Sequence, residues 1–231
     1  VEDLIINDAK KFIGELMAKN DPSHDFAHVE RVYNNALEIA NSEVKNKTCI
    51  KIDMLVIKLA ALFHDICDFK YEKIENFDDL KYLTESRLSG FFKKHNIPAK
   101  KVDSILYIIS NMSFRKELEG DNIDLTPEFM IVRDSDRLDA IGAIGIARCF
   151  GFSCQKKLPF YIKGVKPLVN MTTEEYNNQT KNNLSNAYNH FYEKLLLLKD
   201  RMLTNTGKIL AEKRHEFMKQ FLENFKSEVG L

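Results

Sequence analysis

The chain has 231 residues, which is enough for one large domain or two small ones. Hydrophobic residues make up 44% of it and charged residues 29%, a composition that excludes an intrinsically disordered chain. Lys and Arg number 34 and so do Asp and Glu, so we expect no general affinity for nucleic acid or for an anionic membrane.

Apolar residues recur at three- and four-residue spacing almost throughout, which predicts an all-α protein. The helix of nearly continuous apolarity that begins at Met54 should be central. In the first half, the predicted helices are one over about 4–16, one capped by Ser23, one capped by Asp53 and running to about Cys67, one from Asp78 or Asp79 to about His95, and one from Pro98 to about Met112.

In the second half, Thr126 and Pro127 form a cap and a proline start, which predicts the helix that carries Asp136. Residues 151–171 form a lysine-rich stretch that we predict to be irregular. From about 173 to 228 the pattern predicts two long helices that separate near Asn205. Because no shift in composition marks a boundary, we predict one helical bundle over residues 1–231, with a metal-binding core at about 21–140 and C-terminal helices at about 172–228.

Four ionisable residues occur in stretches that otherwise have the pattern of helices with a buried face: His28, His64, Asp65 and Asp136. An unpaired imidazole or carboxylate is unfavourable in such a place. Convergence on one divalent cation would remove this penalty, so we interpret the four as ligands of a metal ion. Taken singly, each has an ordinary alternative: a histidine satisfied within the core, or a His-Asp dipeptide that occurs by chance.

The spacing and chemistry of these residues agree with such a site. His24 and His28 are four positions apart, so they should share a helix face, and Asp136 and Asp139 fall on one inward side of their helix. Two imidazoles with two carboxylates suit Mn²⁺, Fe²⁺ or Co²⁺, with Mg²⁺ and Zn²⁺ as further options. A six-coordinate ion with four protein ligands keeps positions for water and substrate. Mn²⁺ is the ion that we favour.

Longer segments extend the pattern from about Asp21 to about Phe225: SHDFAHVERV, LAALFHDICDFK, RDSDRLDAIGAIGIAR and HFYEKLLLLKDRMLTNTGK. Together they resemble the HD-domain superfamily of metal-dependent phosphohydrolases and, within it, the YpgQ-like branch of nucleotide pyrophosphohydrolases. The resemblance implies that the metal ligands are His28, His64, Asp65 and Asp136, and that the site holds one ion.

The same resemblance implies hydrolysis of a nucleoside triphosphate, or of its deoxy form, to the monophosphate and pyrophosphate. One alternative is an HD 5′-nucleotidase that acts on monophosphates, and another is a regulatory HD module that binds a nucleotide without turnover. No nucleic-acid partner is expected, because the chain has no basic stripe with interleaved aromatic residues. The oligomeric state is open, with a homodimer among the options.

Five further residues are candidates for roles at the site. Asp68 follows His64 by one helical turn and could deprotonate water, or could simply pair with a nearby lysine. Lys70 and Arg137 directly follow the metal segments and are candidate phosphate contacts, although Arg137 could instead pair with Asp134 on an exposed face. The remaining two candidates are His24, a possible donor to phosphate or a helix-start residue, and Lys194, a phosphate contact or a solvated side chain.

Asp139 could orient a metal ligand, and the lysines of 151–171 could form a lid that attracts polyphosphate or could be merely solvated. The four cysteines form no CxxC pair, and the chain starts without the features of a signal peptide. It also lacks an apolar run of 18 residues. We therefore expect reduced thiols, no membrane partner and a cytoplasmic location.

Overall fold

The computed structural model describes residues 1–18, 21–22, 24–48, 51–67, 77–118, 123–169 and 185–230, with the side chains at 77–81, 115 and 118 left aside. Across these ranges all regular elements are helical and no strand is present, which confirms the predicted all-α fold. In this part of the chain, no helix combines the length and apolarity that crossing a bilayer requires.

The fold consists of ten α-helices in the described ranges and two short 3₁₀ turns before the last of them. They are α1 Glu2–Met17, α2 Phe26–Lys45, α3 Met54–Phe63, α4 Phe77–Lys94, α5 Ala99–Asn111, α6 Phe114–Leu118, α7 Pro127–Asp139, α8 Gly142–Gln155, α9 Ala187–Glu193, the 3₁₀ turns Leu195–Leu197 and Lys199–Arg201, and α10 Asn205–Val229.

Helices α2, α3 and α7 pack against one another and form the centre of the domain. The last turn and a half of α3, from Leu59 to Phe63, is inaccessible to solvent, which confirms the predicted central position of this helix. Burial of each large apolar side chain contributes about 1.5–3 kcal/mol to stability. Helices α1 and α5 cover α3, and α10 lies across α2, α7 and α8. The end of α3 is therefore held in place by dense packing.

Side-chain caps set the starts of the central helices. The predicted caps Asp53 and Thr126 are confirmed: their side chains accept backbone N–H bonds in the first turns of α3 and α7. The cap of α2 is Asp25, whose carboxylate oxygen accepts the backbone N–H of His28 at 3.0 Å. Ser23, which we predicted for this role, lies outside the described residues. The capped first turn of α2 thus fixes the backbone of His28.

The end of α3 differs from the prediction. The helix ends at Phe63 and not at about Cys67, and His64 is its C-terminal cap residue. The chain turns here because the N–H of Ile66 bonds to the carbonyl oxygen of Phe63 at 3.0 Å. As a result, His64 directly follows the last helical residue of α3, and Asp65 lies in the turn after the helix.

Three features of the second half also differ from the prediction. The short helix α6 was not predicted. Helix α8 packs along α10 and continues to Gln155, so the irregular stretch begins after that residue and not at Gly151. In place of the first of two long C-terminal helices, the described residues contain the short helix α9 and the two 3₁₀ turns, and α9 ends where Lys194 adopts the non-helical angles φ −142° and ψ −58°. Residues 170–184, which the prediction also included in part, lie outside the described ranges.

Two buried carboxylates attach the start of α10 to α2 and α7. Glu43 of α2 accepts the backbone N–H of Thr206 at 2.7 Å and its hydroxyl at 2.6 Å. Asp134 of α7 accepts the N–H and the hydroxyl of Thr204, each at 2.7 Å. A Cβ on Gly207 would lie 2.6 Å from the Asp134 carboxylate, so this close approach requires glycine. The C-terminal helix is thereby joined to two of the three central helices.

Candidate metal centre

Two histidines and two aspartates meet where α2, α3 and α7 approach one another. His28 projects from the first turn of α2, His64 and Asp65 follow the end of α3, and Asp136 belongs to the last turn of α7. The two histidines are almost fully buried, whereas the side chains of Asp65 and Asp136 are 20% and 35% exposed. The cluster is therefore closed on the imidazole side and open to solvent on the carboxylate side.

The distances within the cluster are short. The Nε2 atoms of His28 and His64 are 3.1 Å apart. The Oδ2 atom of Asp65 lies 3.2 Å from Nε2 of His28 and 3.4 Å from Nε2 of His64. The Oδ1 atom of Asp136 lies 3.6 and 3.7 Å from the same two nitrogens. Ligand atoms that are about 2.0–2.2 Å from one ion are separated by roughly 3.0–3.6 Å, so the distances among His28, His64 and Asp65 suit a single cation, and Asp136 lies at the outer end of this range from the two imidazoles.

The second ring nitrogen of each histidine fixes its tautomer. Nδ1 of His64 lies 2.8 Å from the carbonyl oxygen of Ala61, which can only accept a hydrogen bond. Nδ1 of His28 lies 2.7 Å from Oδ2 of Asp139. With a hydrogen on each Nδ1, the lone pairs of the two Nε2 atoms face each other across 3.1 Å. Either a proton or a metal cation between the two nitrogens relieves this repulsion, and the donor set of two nitrogens and two carboxylates fits a divalent metal.

The charge around His64 supports the same interpretation. Burial by itself would lower the pKa of His64, but the carboxylates of Asp65 and Asp136 outweigh it and raise the pKa to about 9. Burial likewise opposes ionisation of Asp65, yet the two imidazoles hold its pKa well below the usual value. Concentrated negative charge of this kind stabilises a cation, and a divalent ion can take the place of the proton.

Asp139 is the buried group that orients His28. Its side chain is 1% exposed. Its carboxylate accepts a hydrogen bond from Nε of Arg31 at 2.8 Å and another from Nη2 of the same guanidinium at 3.1 Å. Nη1 of Arg148 donates to the same carboxylate at 3.2 Å. Burial opposes ionisation of Asp139, but the hydrogen bonds from His28 and Arg31 lower its pKa strongly. The structure thus places Asp139 where the sequence suggested, behind a candidate ligand.

The two arginines that hold Asp139 were not predicted. Arg31 is one turn after His28 on α2, a spacing that could have drawn attention to it. Arg148 approaches from α8, and its contact with the carbonyl oxygen of Asp139 at 3.1 Å spans the junction of α7 and α8. No local pattern marks this pairing, because it depends on how the two helices are packed.

His24 lies beside the cluster but not on the helix that we predicted. Helix α2 begins at Phe26, so His24 precedes it and does not share a helix face with His28. Its ring is nevertheless buried, with the centroid 6.0 Å from that of His28 and 6.1 Å from that of Phe152. The Phe152 ring in turn lies 5.8 Å from Nζ of Lys156. The end of α8 therefore borders the site, and a substrate role for His24 stays a prediction.

The other candidates have mixed outcomes. Asp68 and Lys70 lie outside the described residues, so their roles stay predictions. Arg137 is buried and its Nη2 donates to Glu117, so the predicted alternative of an exposed pair with Asp134 is wrong. Nζ of Lys194 lies 5.0 Å from the centre of the Phe114 ring. The structure leaves the phosphate-binding roles of Arg137 and Lys194 untested.

The exposed lysines of the irregular stretch are Lys156, Lys157, Lys163 and Lys166. Their predicted role as a lid is not tested by their positions. Of the four cysteines, Cys67, Cys149 and Cys154 form no disulfide within the described part of the chain, and Cys49 lies outside it.

Comparison with known proteins gives concordant matches. The profile of the HD domain matches residues 25–141, the segment that holds all four candidate ligands. The Bacillus subtilis protein YpgQ is 32% identical over 220 residues, which cover 95% of this chain and 91% of YpgQ. A protein of Acanthamoeba polyphaga mimivirus is 27% identical over 226 residues, with 90% of each chain covered.

Solved structures match over the whole length. A crystal structure of a Lactobacillus plantarum protein has a TM-score of 0.81 and 31% identity, and covers 100% of this chain and 99% of its own. The complex of Bacillus subtilis YpgQ with ADP has a TM-score of 0.68 and 27% identity, and the match covers 98% of this chain and 96% of the YpgQ chain. An HD-superfamily hydrolase of Bacillus thuringiensis has a TM-score of 0.68 and 30% identity, and the match covers 100% of this chain and 99% of the hydrolase chain.

Proposed function

The chain belongs to the HD-domain family and is a metal-dependent phosphohydrolase, and from this premise we propose that it hydrolyses nucleoside triphosphates to monophosphate and pyrophosphate. The observation that carries the proposal is the convergence of His28, His64 and Asp65, whose ligand atoms lie 3.1–3.4 Å apart, with Oδ1 of Asp136 at 3.6 and 3.7 Å from the two imidazole Nε2 atoms. We propose these four as the ligands of one divalent ion, with Mn²⁺ favoured by the mixed donor set.

The nucleotide part of the proposal draws on a relative. YpgQ of Bacillus subtilis has been crystallised with ADP, and this chain matches that structure over 98% of its length. ADP has the base, sugar and α- and β-phosphates of a nucleoside triphosphate. A protein of the same fold that holds this part of the molecule supports a nucleotide as the substrate class here.

The chemistry follows from what the residues can do. The Lewis acidity that a bound divalent ion supplies stabilises charge on a phosphoryl oxygen and makes water a stronger acid. His28 and His64 present Nε2 toward the centre, because each Nδ1 is held by another group. Asp65 and Asp136 face solvent in part and so border the space that substrate and water must enter. Asp68 is proposed to accept the proton of the attacking water.

Product analysis with a panel of ribo- and deoxyribonucleotides tests the proposal. Purified protein is incubated with each triphosphate, and separately with each monophosphate, in the presence of Mn²⁺, Mg²⁺, Co²⁺ or chelator. Pyrophosphate, orthophosphate and the nucleoside products are measured separately. We expect equal amounts of monophosphate and pyrophosphate, with turnover that disappears in chelator. His64→Gln serves as the control, because it removes Nε2 as a ligand while keeping a polar side chain of moderate size.

Other products would replace this proposal. Release of orthophosphate with a nucleoside diphosphate would move the attack to the γ-phosphorus. Nucleoside and orthophosphate from a monophosphate would identify a 5′-nucleotidase. Tight nucleotide binding without any product would identify a regulatory module.

A further inference from the structure

A second charged cluster lies beside the candidate metal centre and has the opposite sign. It contains four cations, here called the basic cluster, and one carboxylate at its centre. The members of the basic cluster are Arg133 and Arg137 on α7, Lys194 after α9, and Arg201 at the end of the second 3₁₀ turn. The central carboxylate is that of Glu117 on α6.

Glu117 joins three of these side chains. Nη2 of Arg137 donates to Oε2 of Glu117. Nη1 of Arg133 lies 4.0 Å from the same oxygen, and Nη1 of Arg201 lies 3.3 Å from Oε1. Burial by itself would raise the pKa of Glu117, but the charges of the three arginines lower it. The carboxylate is therefore ionised and occupies the position in which the guanidinium groups converge.

Helix α6 is also held through its first residue. The centre of the Phe114 ring lies 5.0 Å from Nζ of Lys194 and 5.2 Å from Cζ of Arg201. Such cation–π contacts attract both cations to the face of the ring. The short helix thus contacts the basic cluster through one ring and one carboxylate.

Three arginines of the basic cluster share the carboxylate of Glu117, and the charge of Asp134 also acts on Arg133. Arg133 and Arg137 are 5% and 4% exposed, and in the described part of the chain Glu117 is the carboxylate with which their guanidinium groups form ion pairs. Burial, together with the neighbouring charge of Arg137, lowers the pKa of Arg133 to about 10. Nε of Arg133 has no hydrogen-bond partner among the described residues. A group with more charge and more acceptors than a carboxylate would satisfy this cluster better.

Helix α7 connects the two clusters. Asp136 of the candidate metal centre is followed directly by Arg137, whose guanidinium belongs to the basic cluster. Consecutive helix residues diverge by about 100°, so the two sites lie on neighbouring faces of the same turn. This shared turn of α7 is the structural link between the metal centre and the arginines.

We propose that the basic cluster binds the terminal phosphates of the substrate, and that Glu117 occupies this anion site until the polyphosphate displaces it. This inference rests on the proposed function, because a triphosphate cleaved after its α-phosphate presents two further phosphates to the protein. Phosphate accepts the same paired N–H bonds from guanidinium groups as a carboxylate does, with a higher charge. Glu117 is therefore a competitor for the substrate and not only an anchor for α6.

Binding of inorganic tripolyphosphate to the full chain tests the proposal by calorimetry, with Mn²⁺ and again with chelator. Glu117→Gln removes the competing charge, so we expect tighter binding by about threefold to tenfold. Arg201→Gln removes a charge-assisted hydrogen bond, so we expect binding about tenfold weaker. The matched controls are Glu216→Gln and Lys219→Gln, which remove one partner each from an exposed ion pair on α10, and we expect them to leave the affinity unchanged.

Weaker or unchanged binding by Glu117→Gln would overturn the proposal, since a purely structural ion pair predicts no gain in affinity. Unchanged binding by Arg201→Gln would overturn it as well. Thermal unfolding is measured in parallel, and if Glu117→Gln does not fold, Arg201→Gln and Lys194→Gln decide the matter through their loss of affinity. Failure of the proposed function would look different: nucleotide products other than pyrophosphate, with tripolyphosphate binding that still responds to these variants.

Discussion

Helix α7 contributes to two clusters that have opposite charge requirements. On one face Asp136 joins two imidazoles and Asp65, and the excess of negative charge there calls for a cation. On the neighbouring face the buried arginines exceed the single carboxylate of Glu117 and call for an anion. A metal-bound polyphosphate supplies both charges in one molecule. The two clusters together therefore indicate a metal-bound polyphosphate as the substrate, which neither cluster indicates alone.

The largest expected effect comes from removing a ligand of the metal cluster. Asp136→Ala and His64→Ala should lose most of their bound metal, because each removes one of four donor atoms. Loss of an outer partner already lowers metal affinity or activity by about 10–100-fold, so loss of a direct ligand should exceed that. Metal content per chain and turnover are the measurements. Full metal occupancy in both variants would contradict the ligand assignment.

Asp68→Asn separates proton transfer from metal binding. If Asp68 accepts the proton of the attacking water, the variant should have kcat lowered by about 10²-fold. Its metal content should stay near that of the wild type, since the proposed ligands are intact. Near-normal turnover would assign the proton to another group, with His24 the first to test because its ring lies beside that of His28.

Asp139→Asn tests how the metal cluster is oriented. The asparagine keeps the size of the side chain but loses the charge that holds Nδ1 of His28 and the guanidinium of Arg31. We expect metal affinity to fall by about 10–100-fold, as measured by titration with Mn²⁺. The readout is affinity and not turnover, so a general loss of activity cannot mimic the result.

Glu43→Gln is the matched control, because Glu43 is an equally buried carboxylate that belongs to neither cluster. Burial would raise the pKa of Glu43, but hydrogen bonds from Thr206 and Thr48 outweigh it and lower the pKa below its ordinary value of 4.5. The ionised group therefore stabilises the fold fully above about pH 4.5, and this contribution is lost as the pH falls through the lowered pKa.

We expect this control variant to be less stable than the wild type by about 1–3 kcal/mol at pH 7. The difference should shrink in acid, and metal affinity should be unchanged at neutral pH. A loss of metal affinity as large as that of Asp139→Asn would show that buried carboxylates act through general stability and not through His28.

The metal cluster could be predicted from the sequence because its members interrupt apolar helical patterns. His64 and Asp65 follow a run of buried residues, where an ionisable side chain without a partner would cost free energy, so their position indicates a bound partner. The basic cluster could not be predicted as a unit. Arg133 and Arg201 are far apart in the chain, and Glu117 belongs to a short helix that has too few residues to show a periodicity. Pairings of this kind depend on packing between elements.

The same distinction applies to the boundaries of the helices. Caps such as Asp53 and Thr126 were predictable because they act on the next few residues of their own helix. The end of α3 at Phe63 was not, since apolar residues continue past it and only the turn at Ile66 reveals the change. Local chemistry determines where these helices start, and tertiary contacts determine more of where they end.

Anomalous diffraction from crystals grown with Mn²⁺ determines whether one divalent ion lies between α2, α3 and α7. We expect a single strong peak about 2.0–2.2 Å from Nε2 of His28 and of His64 and from one carboxylate oxygen each of Asp65 and Asp136. A peak that excludes either histidine, or no peak in crystals of protein that turns over with Mn²⁺, would contradict this expectation.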